Sequence, residues 1–178
     1  MKMKILVLAI IPLLVVLILT LPWLLIYIGN LFVPTPLEPE IVYGEFPFRL
    51  EYEINGRREV IQDTLICEYK GVGTDEGRGK YRGWEQRLAS GNDRITLLKV
   101  DDSLEIYYPP GSANYYMDDL GENETFTHII PDAAFIVTDG NITRSGTVSA
   151  DNLLEIYNIK LISWDYTGPI SNSFSRTK

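Results

Sequence analysis

The chain is poor in the side chains that most often carry chemistry. Among 178 residues there is one cysteine, Cys67, and one histidine, His128. A single cysteine excludes an intramolecular disulfide and a thiolate zinc cluster. Positive charge is also scarce: 16 Lys and Arg stand against 24 Asp and Glu, a formal net charge of -8. With a sequence pI near 4.7, the clustered basic residues that phosphate backbones require are lacking, so no nucleic-acid partner is expected. What is not lacking is apolar mass. Hydrophobic residues make up 46% and charged residues 22%, ordinary globular values that exclude wholesale disorder. The length suits one ordinary domain plus an appendage.

The appendage is N-terminal. Lys2 and Lys4 precede a run from Ile5 to Leu37 without a single charge. Taking Ile5–Ile28 as the span gives about 36 Å of helix at ~1.5 Å per residue. A hydrocarbon core of about 30 Å needs about 20 residues, so residues 5–28 are expected to form a transmembrane helix embedded in the lipid bilayer. A cleaved secretory signal is the competing reading. Its apolar region runs only about 7–15 residues and ends in a small-x-small site, whereas bulky Tyr27 sits two before Gly29. Pro12 and Pro22 read as bends in a lone anchor. Trp23 and Tyr27 lie where aromatic rings favour the membrane interface. The Lys pair leaves residues 1–4 in the cytoplasm, which makes a single-pass cell-membrane protein with its C-terminal domain extracellular. Without Lys2 and Lys4 the remainder carries a formal -10, and anionic lipid is expected to hold such a body off the bilayer.

Residues 29–40 contain Pro34, Pro36 and Pro39 and read as a semi-rigid, proline-rich linker. An exported β-rich domain is expected over 41–170, and a flexible tail over 171–178. Its plainest signal is FPFRLEYEI (Phe46–Ile54), apolar at every second position, followed by Asn55-Gly56, the favoured pair for a type I′ hairpin turn. That turn sets Ile54 opposite Arg57, Leu50 opposite Ile61 and Phe46 opposite Leu65, and buries Ile61, Leu65, Cys67 and Tyr69 on the return strand. Gly71–Lys80 reads as a glycine-rich hairpin loop, and Tyr81–Ala89 is ambiguous between helix and strand. Further strands are expected at Ile95–Val100, Leu104–Tyr108, Phe126–Ile130, Ala134–Thr138, Ile142–Val148 and Ile159–Tyr166. A short helix capped by Ser149 is expected to place Leu153, Leu154 and Tyr157 on one face. The fold class is mainly β: an antiparallel sandwich or barrel-like domain with one short helix, preceded by the transmembrane helix.

Chemistry-bearing motifs are few. GVGTDEG (Gly71–Gly77) lacks the phosphate-cradling spacing, and Asp75 and Glu76 would repel phosphate. Asp118, Asp119, Glu122 and Glu124 gather four carboxylates out of calcium-loop register, so a solvated acidic loop is expected and no metal site. No G-x-S-x-G elbow is present. Thr64-Leu65-Ile66-Cys67 resembles the cysteine strand of sortases, but the second threonine is missing and His128 follows the cysteine where sortases place histidine before it. Cys67 is also expected to point into the core. An envelope enzyme with a Cys67/His128 site is therefore the alternative reading, no catalytic residue is assigned, and no cofactor is expected. Tyr107-Tyr108 and Tyr115-Tyr116 flank PPGSAN. Aromatic side chains bracketing a loop can make a platform for carbohydrate or peptide, so these four tyrosines are the candidate binding residues. The bland reading of the same pattern is that one of each pair belongs to the core.

The segments GEFPFRLEYEING (Gly44–Gly56), DTLICEYKG (Asp63–Gly71) and IKLISWDY (Ile159–Tyr166) resemble small, single-pass, membrane-anchored proteins of Gram-positive bacteria, a group with no assigned activity. The resemblance implies a bacterial membrane protein and transfers no residue role. The expected function is a non-enzymatic binding or interaction module at the cell envelope, with an envelope protein or a wall polymer as partner. An accessory or immunity-type protein acting through its helix is a third possibility.

Overall fold

The computed structural model describes residues 2–75, 77, 79–121 and 123–175, with side chains described from Leu14 to Phe174 within those ranges. Glu76 and Arg78 of the glycine-rich stretch, Glu122 of the acidic loop and the last three residues of the tail lie outside the described residues. The element order is α1 (Lys2–Phe32), β1 (Glu38–Pro39), β2 (Tyr43–Ile54), β3 (Arg57–Asp75), β4 (Gly79–Leu88), β5 (Ile95–Lys99), β6 (Leu104–Tyr108), α2 (Ala113–Tyr116), β7 (Ala133–Asp139), β8 (Ile142–Val148), α3 (Ala150–Tyr157), β9 (Ile159–Tyr166) and β10 (Phe174–Ser175). The chain divides into two compact units, residues 2–38 with 70–83, and residues 39–69 with 84–175.

The second unit is the β domain, mainly β as expected. Two four-stranded antiparallel sheets, ordered β4-β3-β2-β9 and β5-β6-β7-β8, are accompanied by a short β1-β10 ribbon. Alternation in β2 sets the register. Ile54 pairs with Arg57, Leu50 with Ile61 and Phe46 with Leu65, around a turn in which Asn55 (φ 52°) and Gly56 (φ 75°) adopt the positive φ that a type I′ turn demands. Phe46, Phe48, Leu50 and Tyr52 thereby line one face, and meet Leu65 and Cys67 of β3 and Leu161 and Trp164 of β9. Ile95 and Leu97 of β5, Ile106 and Tyr108 of β6 and Leu153 of α3 complete the same core. This is a sandwich: inner faces bury their apolar halves against each other while the alternate residues stay wet.

Glu51 is the exception to that alternation. It points to the other face of β2 yet is only 8% exposed, because Arg49 and Arg58 both pair with its carboxylate. The Arg49 hydrogen bond, and then the charge of Arg58, hold its pKa below the usual carboxylate value. Ile66 is a second departure, buried beside Leu65 and Cys67.

Several expectations are corrected. Phe126–Ile130 forms no strand. The following strand, β7, is already paired on both sides, with β6 and β8, so its sequence neighbour finds no free edge there. Instead Ile129 and Ile130 pack on the core as side chains. The glycine-rich stretch is mostly ladder rather than loop, since β3 runs to Asp75 and β4 resumes at Gly79. The ambiguous Tyr81–Ala89 falls within β4, up to Leu88. In α3, Ser149 caps the N-terminus as expected, its hydroxyl accepting from the Asn152 N–H. Leu153 is buried and Tyr157 packs on the core, but Leu154 is 54% exposed, since at 3.6 residues per turn it points about 100° away from its neighbour Leu153. The tail is tied down through Ser175: the Glu40 N–H donates to the Ser173 carbonyl, and the Asn172 side chain exchanges hydrogen bonds with the Ile41 backbone.

In the first unit, α1 extends past Ile28 to Phe32, so the first residues of the expected linker are helical. Its stretch Leu14–Phe32 is long and apolar enough to cross a membrane, and none of it is buried in the protein. The outer part of the β3–β4 hairpin lies along the chain that leaves this helix. Val33 sits where a Cβ on Gly79 would be 3.1 Å from its Cγ1. Lys80 Nζ donates to Thr35 Oγ1 at 3.4 Å, and Arg82 Nη1 donates to the Leu37 carbonyl at 3.4 Å. Gly73 makes room for the Tyr81 ring, which a Cβ there would meet at 2.6 Å.

Candidate functional site

The strand β6 ends in Tyr107-Tyr108, and alternation sends the two rings to opposite faces. Tyr108 goes inward. It is fully buried, its ring centroid 4.7 Å from that of Trp164, and burial raises its hydroxyl pKa. Tyr107 goes outward, where the Arg94 guanidinium lies over its ring, 5.7 Å from the centroid, within cation–π range. The second pair divides the same way. Ser112 caps α2 by accepting from the Tyr115 N–H, and that single turn drives Tyr116 into the core, its hydroxyl donating to the Pro110 carbonyl at 2.7 Å. Tyr115 is left half-buried.

The four tyrosines therefore do not form one platform. Tyr115 belongs to an aromatic nest with Phe126 (4.5 Å), Tyr116 (5.0 Å) and His128 (5.9 Å). Its hydroxyl lies 3.4 Å from that of Tyr166, and burial together with that neighbour pushes its pKa to about 12. At the centre of the nest His128 stands 4.2 Å from the Tyr166 ring and 5.0 Å from Phe126. Both of its ring nitrogens are buried without a hydrogen-bond partner among the described residues, and burial lowers its pKa. The imidazole is therefore neutral at neutral pH and makes no hydrogen bond to Cys67. The thiol itself is fully buried, and its pKa is pushed up to about 12. Thiolate is the reactive form, so this arrangement prepares no nucleophile.

The acidic loop is likewise dispersed. Asp119 accepts from the Trp84 indole N–H at 2.7 Å, Asp118 accepts from the Asn172 N–H, and Glu124 accepts from the Gly121 N–H. Among the described residues no cluster of three or more His, Cys, Asp or Glu could hold a metal ion.

The built concavity of the β domain is centred on a residue that sequence reading did not single out. Arg94, just ahead of β5, lines three neighbouring hollows. The smallest, about 170 Å³, has Tyr107, Pro109 and Pro110 as one wall and Arg87 and Gln86 as another. The second, about 570 Å³, shares Asp93 with it and adds Asp63, Asn92 and Lys99. The third continues past Glu105 to Asp101, Asp102 and Thr143. Glu105 holds the centre. One of its carboxylate oxygens faces Arg94 Nη1 at 3.6 Å, and the other accepts from the Thr96 hydroxyl. Asp101 closes the β5–β6 turn, accepting from the Ser103 hydroxyl and from the backbone of Ser103 and Leu104; these bonds lower its pKa. The result is a shallow groove with an aromatic wall, planar guanidinium donors and several carboxylate acceptors. In the sequence the only trace was Tyr107 at the expected end of a strand. Glu105 sits two residues before Tyr107 on β6 itself, whereas Arg94 lies thirteen residues before it, and the β5–β6 pairing brings Arg94 beside them.

No family model, curated protein or solved structure matches this chain.

Proposed function

We propose that this chain is a membrane-anchored, exported binding module of the cell envelope, and that the Arg94 groove receives a polyhydroxylated wall glycan. The observation that carries this reading is the convergence of three hollows on Arg94 with its guanidinium laid over Tyr107. An aromatic face offers apolar area to a sugar ring while keeping a polar edge. Guanidinium and carboxylate groups at fixed positions donate to and accept from hydroxyls in pairs. A purely anionic polymer fits less well, because Asp93, Asp101, Asp102 and Glu105 share the groove with the basic residues. The span of α1 and the resemblance to Gram-positive anchored proteins support the envelope location.

The test is calorimetric titration of the full chain in lipid nanodiscs with soluble wall-glycan fragments. Arg94→Ala and Tyr107→Ala are each expected to weaken binding about tenfold, the loss typical of a central anchor side chain. No binding by the wild type would sink the glycan reading. Binding that neither substitution weakens would remove the groove as its site.

A further inference from the structure

The net charge of the exported residues conceals an arm of opposite sign. Residues 70–83, the outer part of the β3–β4 hairpin, carry Lys70, Arg78, Lys80 and Arg82 against Asp75 and Glu76, a formal +2. The other residues beyond Ile28 carry ten basic and 22 acidic groups. This basic arm belongs to the same compact unit as α1, and its contacts run in step with the emerging chain. Gly79 meets Val33, Lys80 reaches Thr35, and Arg82 reaches Leu37. The start of β4 is therefore level with Val33, one residue beyond the helix end, where Leu31 and Phe32 are 60% and 82% exposed. Lys80 and Arg82 follow at successive steps outward. Val72 and Tyr81 add exposed apolar and amphipathic area on the same arm. Asp75 accepts from the Gly77 N–H at 2.7 Å.

From this placement we infer that the β3–β4 arm is a second membrane contact, in which Lys80 and Arg82 engage the phosphates of anionic phospholipid around the exit of α1. The inference rests on α1 crossing the bilayer. Given that, the helix terminus sets the depth of the arm, and the arm's charge selects the headgroup. Each basic side chain near an anionic surface favours the bound state about fivefold, and salt weakens the effect. The acidic remainder explains why total charge hides the contact: the attraction is local, and acidic groups more than a Debye length of about 10 Å away are screened.

The experiment places a fluorescent nitrobenzoxadiazole probe at either of two sites in the full chain. Thr74→Cys labels the arm and Leu24→Cys labels the helix, both with native Cys67 sealed in the core. Labelled protein is reconstituted into vesicles of phosphatidylcholine alone, or of phosphatidylcholine with an equal part of phosphatidylglycerol, each with and without lipids carrying a quencher at headgroup or mid-chain depth. The helix probe is expected to be quenched by mid-chain lipid in both vesicles. The arm probe is expected to be quenched by headgroup lipid strongly in the anionic vesicles and weakly in the neutral ones. Lys80→Glu with Arg82→Glu should lower the bound-to-free ratio of the arm on the order of 100-fold. An unquenched helix probe would overturn the membrane reading itself. A quenched helix probe beside an arm probe blind to both headgroup quencher and lipid charge would overturn the arm contact alone. Arm quenching equal in both vesicles and unchanged by the charge reversal would overturn the role of lipid phosphate.

Discussion

The β2–β3 hairpin and the stretch Met117–Asp132 hold their shapes by different means. The hairpin is a ladder: twelve consecutive residue pairs, from Tyr43 opposite Glu68 to Ile54 opposite Arg57, fix every side chain to one face. Among its described residues the second stretch has no ladder. Its ends are pinned by the Trp84 indole on Asp119, by Asn172 on the Met117 carbonyl, and by the Asp132 carboxylate on the Ala150 N–H. Its middle rests on an imidazole wedged among aromatic rings. A ladder spreads its stability over many equivalent bonds, whereas a pinned loop concentrates it in a few side chains. Damage should therefore be global in the first region and local in the second.

The largest effect is expected in the ladder. Leu50 is fully buried and pairs with Ile61 on one side and Trp164 on the other. Leu50→Ala should cost about 3–4 kcal/mol, read as a lower denaturation midpoint by circular dichroism, with hydrogen exchange accelerated across both sheets. Trp84→Phe keeps an aromatic ring, though a smaller one, and removes the bond to Asp119, for about 1–2 kcal/mol. Exchange should quicken in residues 118–131 while the β2–β3 amides stay protected. If the hairpin opens equally, the contrast between the two regions is wrong.

His128 sharpens the comparison through pH. Its folded-state pKa lies below its ordinary value of 6.5 because burial disfavours the charged form. The unfolded chain therefore binds the extra proton first, and stability should fall as pH drops from about 7 to 5. His128→Phe should flatten that limb and leave the protein up to about 1 kcal/mol more stable at the acid end. A variant with the wild-type pH profile would show that the imidazole is not desolvated. The smallest effect is expected at Glu51, whose folded pKa is depressed below 4.5. Its contribution is fully present above that value and is lost as pH falls through the lower folded value. Glu51→Gln should remove that acid limb. Solvent screens the partly exposed Arg49 and Arg58, so the change should be slight.

The same contrast explains what was legible beforehand. Period-two alternation and an Asn-Gly turn determine a register locally, so β2 and β3 could be paired residue by residue, and the bounds of β6, β8 and β9 followed from turn residues. Phe126–Ile130 carries similar apolar weight, but whether such a segment becomes a strand depends on a free sheet edge, and strand order is a long-range property. The tyrosine pairs were half legible for a related reason. Each had to split between two environments, yet Tyr107 acquires its setting from Arg94 and Tyr115 from Tyr166, partners chosen by the packing. Net charge hides position in the same way, since an average over the residues beyond Ile28 cannot show that residues 70–83 have the opposite sign.

The sealed position of Cys67 has a consequence for how the molecule meets an oxidant. With no second thiol in the chain and its only sulfhydryl enclosed between sheets, a folded copy offers an oxidant nothing to cross-link. Its assemblies, whatever they contain, should run identically with and without reductant, and the appearance of a disulfide-linked pair would report that the sandwich had opened.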